Sequence, residues 1–165
     1  MATKLSEPST QSAADRRSAE AELTALITKF AATQQELVGT VRRSLRKRLP
    51  TAHEVVYEYA DSFVISFSPD ERGYEGVLAI RGSAKGVDLY FNRGKELSDP
   101  DKLLRGSAKL VRFIHMESAF TLKRPAVARL IDAAIAGTHV PFASTGRGPV
   151  IVRSTTAKKR SQRSA

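Results

Sequence analysis

The segment from Leu89 to Lys109 constrains the fold of this chain more than any other. Leu89-Tyr90-Phe91-Asn92-Arg93-Gly94 reads as a strand that stops at a glycine. Asp99-Pro100-Asp101-Lys102-Leu103-Leu104 follows as a short helical turn opened by an acid. Arg105-Gly106-Ser107-Ala108-Lys109 is then a turn of small residues closed by a lysine. A fifth strand is predicted directly after it, over Leu110 to Glu117.

The strands before this segment also follow one another through short connections. Glu54 to Tyr59 is β-branched and aromatic. Asp61-Ser62 makes a turn, and Phe63 to Ser68 places Phe63, Ile65 and Phe67 on one face. After the loop Pro69-Asp70-Glu71-Arg72-Gly73, two strands over Glu75 to Arg81 and Val87 to Asn92 flank Gly82-Ser83-Ala84-Lys85-Gly86, read as a five-residue hairpin connection. Val87, Leu89 and Phe91 alternate with Asp88, Tyr90 and Asn92, so one side is buried and the other polar.

Helices bracket the strands. Leu23, Leu26, Ile27 and Phe30 form an apolar stripe at steps of three and four. Thr33-Gln34-Gln35-Glu36 has capping-box spacing, which predicts a break near Ala31 to Thr33 and a second helix ended by Pro50. One continuous helix is the alternative, because the stripe runs on through Leu37, Val38, Val41, Leu45 and Leu49. Pro125 suits the first turn of a last helix reaching Ala136, with Gly137 at its end. The expected fold class is therefore α+β: an antiparallel sheet of about five strands with the helices packed on one face. The expected organisation is a disordered N-terminal tail over 1–14, one domain over 15–140 and a basic, disordered tail over 141–165.

The chain has no cysteine, which excludes disulfides, thiolate metal sites and a cysteine nucleophile. No apolar run approaches the roughly 20 residues of a bilayer span, and no signal-peptide core is seen at the start. A soluble, cytoplasmic protein is expected. The formal charge of +10 is unevenly placed. Six cations and no acid follow from Arg147 onward, and Arg42, Arg43, Arg46, Lys47 and Arg48 end the second helix. The rest of the chain is slightly acidic. The helix-end block is read as an outer face paired with the helix dipole. That block has no interleaved aromatic residues to make a nucleic-acid reading surface, and the tail offers at most weak, non-specific, salt-sensitive nucleic-acid binding.

Several fragments in order resemble the YdhG-like family, a small bacterial α+β domain. They are Leu49-Pro50-Thr51-Ala52-His53-Glu54 running into Tyr57, the strand Val87 to Phe91, Leu97-Ser98-Asp99-Pro100, Leu103-Leu104-Arg105-Gly106-Ser107 and Lys109 to Ile114. The resemblance spans about Leu37 to Ala136. It implies a frataxin-like fold, and by analogy iron as a cofactor and a role as an iron chaperone. Iron binding of that type needs an acidic helix, because hard iron prefers carboxylate oxygens. Here Glu20 and Glu22 lie two apart beside Arg16 and Arg17, and the second helix ends in cations.

No catalytic constellation is predicted, and no metal site. His53, His115 and His139 are far apart, and no Gly-x-Ser-x-Gly elbow is present. Gly82 to Gly86 is too short for a phosphate loop. Gly106, Ser107 and Lys109 are candidate anion-binding residues, since free amides at such a turn can hold a negative charge. The polar face of the sheet is the candidate ligand surface, with Tyr57, Tyr59, Tyr90, Arg112 and His115 as its residues. The expected role is a non-enzymatic module that binds a small ligand or a protein partner.

Overall fold

In the computed structural model, residues 11–73 and 75–154 are described. They form three α-helices and one six-stranded sheet. Helices α1 (Ala13–Ile27) and α2 (Ala32–Arg48) come first. Strands β1 (His53–Glu58), β2 (Ser62–Ser68), β3 (Leu78–Ser83), β4 (Gly86–Phe91) and β5 (Arg112–Met116) follow, then α3 (Pro125–Ala136) and β6 (Val150–Ser154). The spatial order is β5-β4-β3-β2-β1-β6. Every pair is antiparallel except β1 with β6, so the sheet is mixed.

Alternation divides the sheet into two faces. Phe63, Ile65 and Phe67 of β2 stand opposite Gly82, Ile80 and Leu78 of β3, which in turn face Val87, Leu89 and Phe91 of β4. This row is fully buried and joins Val38, Val41 and Leu45 of α2 and Val127, Leu130 and Ile131 of α3 in one core. Burying each such side chain contributes roughly 1.5–3 kcal/mol. The helices therefore cover one face, as the α+β reading expects. The break between α1 and α2 also falls where the capping-box spacing puts it. Its chemistry differs: the N-cap of α2 is Ala31, without a side-chain cap. Gln35 instead donates from Nε2 to the Phe30 carbonyl at 2.8 Å, and Phe30 packs edge-on against Phe63.

The expected chain ends need correction. Ser12 caps α1 by accepting the Asp15 amide, so the ordered fold starts before residue 15. The segment expected to be a disordered tail over 141–165 contributes β6, pairing Val150 through Ser154 with Glu54 through Glu58. The apolar run Val150-Ile151-Val152 supplies the reason, because Val150 is buried in the core. Gln11 satisfies the outer edge of β6: its side-chain amide donates to the Val150 carbonyl at 2.8 Å and accepts the Val150 amide at 3.0 Å. Arg16 donates to the Gly148 carbonyl at 2.6 Å. Gly148 itself crosses so close to Ala52 that a Cβ there would lie 1.6 Å from the Ala52 carbonyl oxygen. Of the cations after Arg147, Arg153 is bound to the carbonyls of Glu71 and Arg72. Residues 1–10 and 155–165 lie outside the described residues.

Three further expectations are revised. The β3–β4 hairpin has a two-residue tip, Ala84-Lys85, because Ser83 pairs with Gly86. Asp99 to Leu104 is not helical: the Asp99 carboxylate takes the amides of Leu103 and Leu104 at 2.9 Å each, which replaces helical bonding, and a 3-10 turn forms instead at Gly94–Glu96. Arg42 does not lie on an outer face. Its guanidinium donates to both oxygens of Glu20 at 2.7 and 2.8 Å and to both oxygens of Glu54 at 2.8 and 3.0 Å. Only 13% of the Arg42 side chain and 4% of that of Glu54 are exposed. Burial works against the arginine charge, but these bonds outweigh it and raise its pKa.

Removing one partner leaves a buried charge alone, at a cost of about 3–5 kcal/mol. Arg42→Met is therefore expected to lower the unfolding free energy in urea by about that amount. A loss below about 1 kcal/mol would show that Glu54 finds water or another partner. Deleting the chain from Arg147 onward removes β6 and is expected to abolish the cooperative thermal transition followed by circular dichroism.

Acid should destabilise the fold in two steps. Burial pushes the His53 imidazole below its ordinary value against the pull of Asp70 and Glu71. Hydrogen bonds from Arg42 and Arg72 hold Glu20 and Asp70 below theirs. All three groups bind protons less readily folded than unfolded, so each contribution is present above the unfolded value and lost as pH falls. The Tm is expected to decline first below about pH 6.5 and again below about pH 4.5. His53→Gln should remove the first step alone; an unchanged upper step in that variant would assign it elsewhere.

Candidate functional site

The face of the sheet turned away from the helices carries a polar row, His115–Asp88–Arg81–Val64–Tyr57–Arg153, read across β5 to β6 by register. His115 Nδ1 and Asp88 Oδ1 lie 2.8 Å apart. At the β1–β6 side the loop after β2 folds over this face. Gly73, at φ +82°, passes so near Tyr57 that a Cβ would clash with its hydroxyl. The Tyr57 hydroxyl donates to the Arg72 carbonyl at 3.4 Å, and the Arg153 guanidinium lies 5.9 Å from the Tyr57 ring centre.

The five residues expected to form a ligand surface do not meet at one place. Tyr57 lies beneath the loop. Tyr59 and Tyr90 line a shallow depression with Val64 and Arg81, and Tyr90 stacks on Phe113 with ring centres 5.3 Å apart. His115 stands on the same face, toward the β5 edge. Arg112 belongs to the opposite face, because it is three residues from His115 and alternation reverses it. Its guanidinium is tied to the carbonyls of Ala108 and Val111 at 2.5 and 2.8 Å. Gly106, Ser107 and Lys109 lie on an exposed loop. There Gly106 takes φ +115°, and the Ala108 carbonyl accepts from Arg112.

The best-formed concavity lies elsewhere, at the C-terminal end of α3. Its volume is about 360 Å³. Val77, Phe91, Leu97, Leu110 and Ala134 make an apolar floor, and Glu75, Asn92, Arg93, Glu96, Thr138 and His139 surround it. Local structure explains how they converge. The β4 strand ends at Phe91, and Asn92 turns to donate from its side chain to the Gly76 carbonyl at 2.5 Å. The 3-10 turn then puts Glu96 three residues after Arg93, and the two form a paired bridge at 2.6 and 2.8 Å. The bridge to Arg93 lowers the Glu96 pKa, and the bridge to Glu96 raises that of Arg93. Across the cavity, Gly137 ends α3, and the chain leaves through Thr138 and His139.

This arrangement has an electrostatic direction. Arg93 bonds to Glu96 and also feels the charge of Glu75, so two acids face one arginine and, with the carbonyl end of α3, make the site negative. The mix of apolar floor and few polar groups is that of small-ligand sites, whose volumes start at about 300 Å³.

Sequence reasoning missed Glu75, Asn92, Arg93, Glu96 and His139 as a group. They come from three segments that only tertiary packing joins. Two local signals were present: the Arg93–Glu96 spacing, and a histidine two residues after a helix-ending glycine. Among the described residues, no three or more carboxylates and histidines converge as a metal site. Glu20 of α1 has both oxygens on Arg42. No helix of the described residues is long and apolar enough to cross a membrane. Comparison of the chain with protein-family models, with curated proteins and with solved structures gave no match in any of the three.

Proposed function

We propose that the protein is a non-enzymatic, YdhG-like binding module that holds a small amine with an apolar body in the cavity at the end of α3. The observation that carries this reading is the pairing of an apolar floor with a negative rim in one concavity. The hydrocarbon part of the ligand would cover Val77, Phe91 and Ala134. Its ammonium group would face Glu75 and the carbonyl end of α3, where a cation is favoured. Arg93 holds Glu96 in place and keeps the rim from becoming strongly acidic. The α+β architecture supports the YdhG-like resemblance only at the level of fold class.

The test is an NMR titration with 2-phenylethylamine, using 3-phenylpropionate as an anion of similar shape. The amine is expected to shift the resonances of Leu97, Ala133 and Ala134. Glu75→Gln should weaken it about tenfold, in keeping with the loss of one charge-assisted contact of about 1.5 kcal/mol. Ala134→Phe, which fills the cavity, should abolish it. Equal binding of both compounds would refute the proposed charge preference. Shifts confined to Tyr59 and Tyr90 would move the site to the open sheet face.

A further inference from the structure

The edge of β5 is left unfinished. Arg105 and Phe113 exchange backbone hydrogen bonds, each amide donating to the other's carbonyl at 2.9 Å. Phe113 therefore points its backbone groups away from β4, and by alternation His115 does the same. Antiparallel continuation from this bridge would bring Leu103 opposite His115. It does not, because the Asp99 carboxylate takes the amides of Leu103 and Leu104. Lys102 adopts a left-handed backbone, at φ +53°, as the chain turns aside. A groove of about 310 Å³ opens where the missing strand would run, floored by Ile114 and His115.

The walls of this groove have a consistent character. Lys102, Arg105 and Arg124 line it against one acid, Glu117. None of the three cations is ion-paired with a described residue. Phe120 stands at the rim with 73% of its surface exposed, and the Lys123 ammonium lies 5.3 Å from its ring centre. An open strand edge usually invites pairing and is blunted by charge or covered. Here three cations outnumber one acid along the edge, so the net charge favours a partner of the opposite sign.

We propose that the β5 edge is a docking site for an acidic peptide segment in extended conformation. Such a segment would pair with the backbone of His115 and continue the line begun by Arg105. Its carboxylates would meet Arg105, Arg124 and Lys102, and an apolar residue would rest on Phe120. This is strand addition, in which main-chain bonds supply affinity and side-chain pockets supply choice. The site is separate from the α3 cavity and does not depend on it.

The probe is a blocked hexapeptide alternating glutamate and valine, added to the full chain at low salt and followed by fluorescence anisotropy and NMR. The lysine–valine counterpart is the control. The acidic peptide is expected to bind and to shift the His115 amide, and the basic one not to bind. Arg105→Glu with Arg124→Glu should lower affinity at least tenfold. Phe120→Ala should lower it several-fold. All three substituted residues are exposed, and thermal melts of the variants should match the parent. A peptide methylated on alternate backbone nitrogens should bind at least tenfold more weakly. Unchanged affinity after the charge reversal would assign binding to other cations of the chain and overturn the proposal. So would equal binding of the methylated peptide, absence of binding at millimolar concentration, or tighter binding of a short DNA duplex at the same residues.

Discussion

The contact between Arg42, Glu20 and Glu54 holds the architecture together. It joins both N-terminal helices to the first strand at one point that is buried at Glu54 and Arg42 and partly open at Glu20. Glu54 stands on the helix-covered face of β1, where its neighbours across the strands are Phe67 and Val150. A carboxylate there is tolerable only because a guanidinium reaches it with two bonds. Arginine suits the role because its planar fork serves two carboxylates at once, which the compact charge of lysine does not. Arg46 adds a second cation at longer range to both acids, 3.7 Å from Glu20 and 3.9 Å from Glu54. Such a cluster gives little net stability compared with an apolar replacement, but it fixes which helix faces which strand.

Much of the fold was legible because its elements obey local rules. The alternation of Phe63, Ile65 and Phe67 put them on one face, and the structure buries all three. Pro125 and Gly137 bracket α3 as expected, although Gly137 ends the helix at φ −87°, where no glycine is needed. The break before α2 was visible too, although the reason lies in Gln35 and Phe30 and not in a threonine cap. The misreadings came from non-local causes. Arg42 looks like one member of a basic run until Glu54, twelve residues on, folds beneath it. Val150, Ile151 and Val152 are a short apolar run inside a basic stretch, and only the free edge of β1 explains their order.

The candidate sites show the same limit more sharply. Parity places Tyr57, Tyr90 and His115 on one sheet face, and they are there. Parity also separates Arg112 from His115, so that residue could have been excluded from the sequence. Strand order, which no local pattern contains, decides that Tyr57 and His115 lie four strands apart. The cavity at the end of α3 draws on four separated segments and has no local signature. Its most informative element, the Arg93–Glu96 bridge, reads in the sequence as an ordinary surface pair.

The clasp between Gln11 and Val150 has a topological consequence. The two ends of the described fold lie side by side, and β6 carries the chain only about 13 Å further, at about 3.3 Å for each step to Ser154. A linker of about six residues spans that distance. The Ala84-Lys85 tip is exposed and makes no contribution to the core. The fold can thus be drawn as a closed ring, and a circularly permuted chain opened at that tip would keep every strand pairing while exchanging which segment is made first.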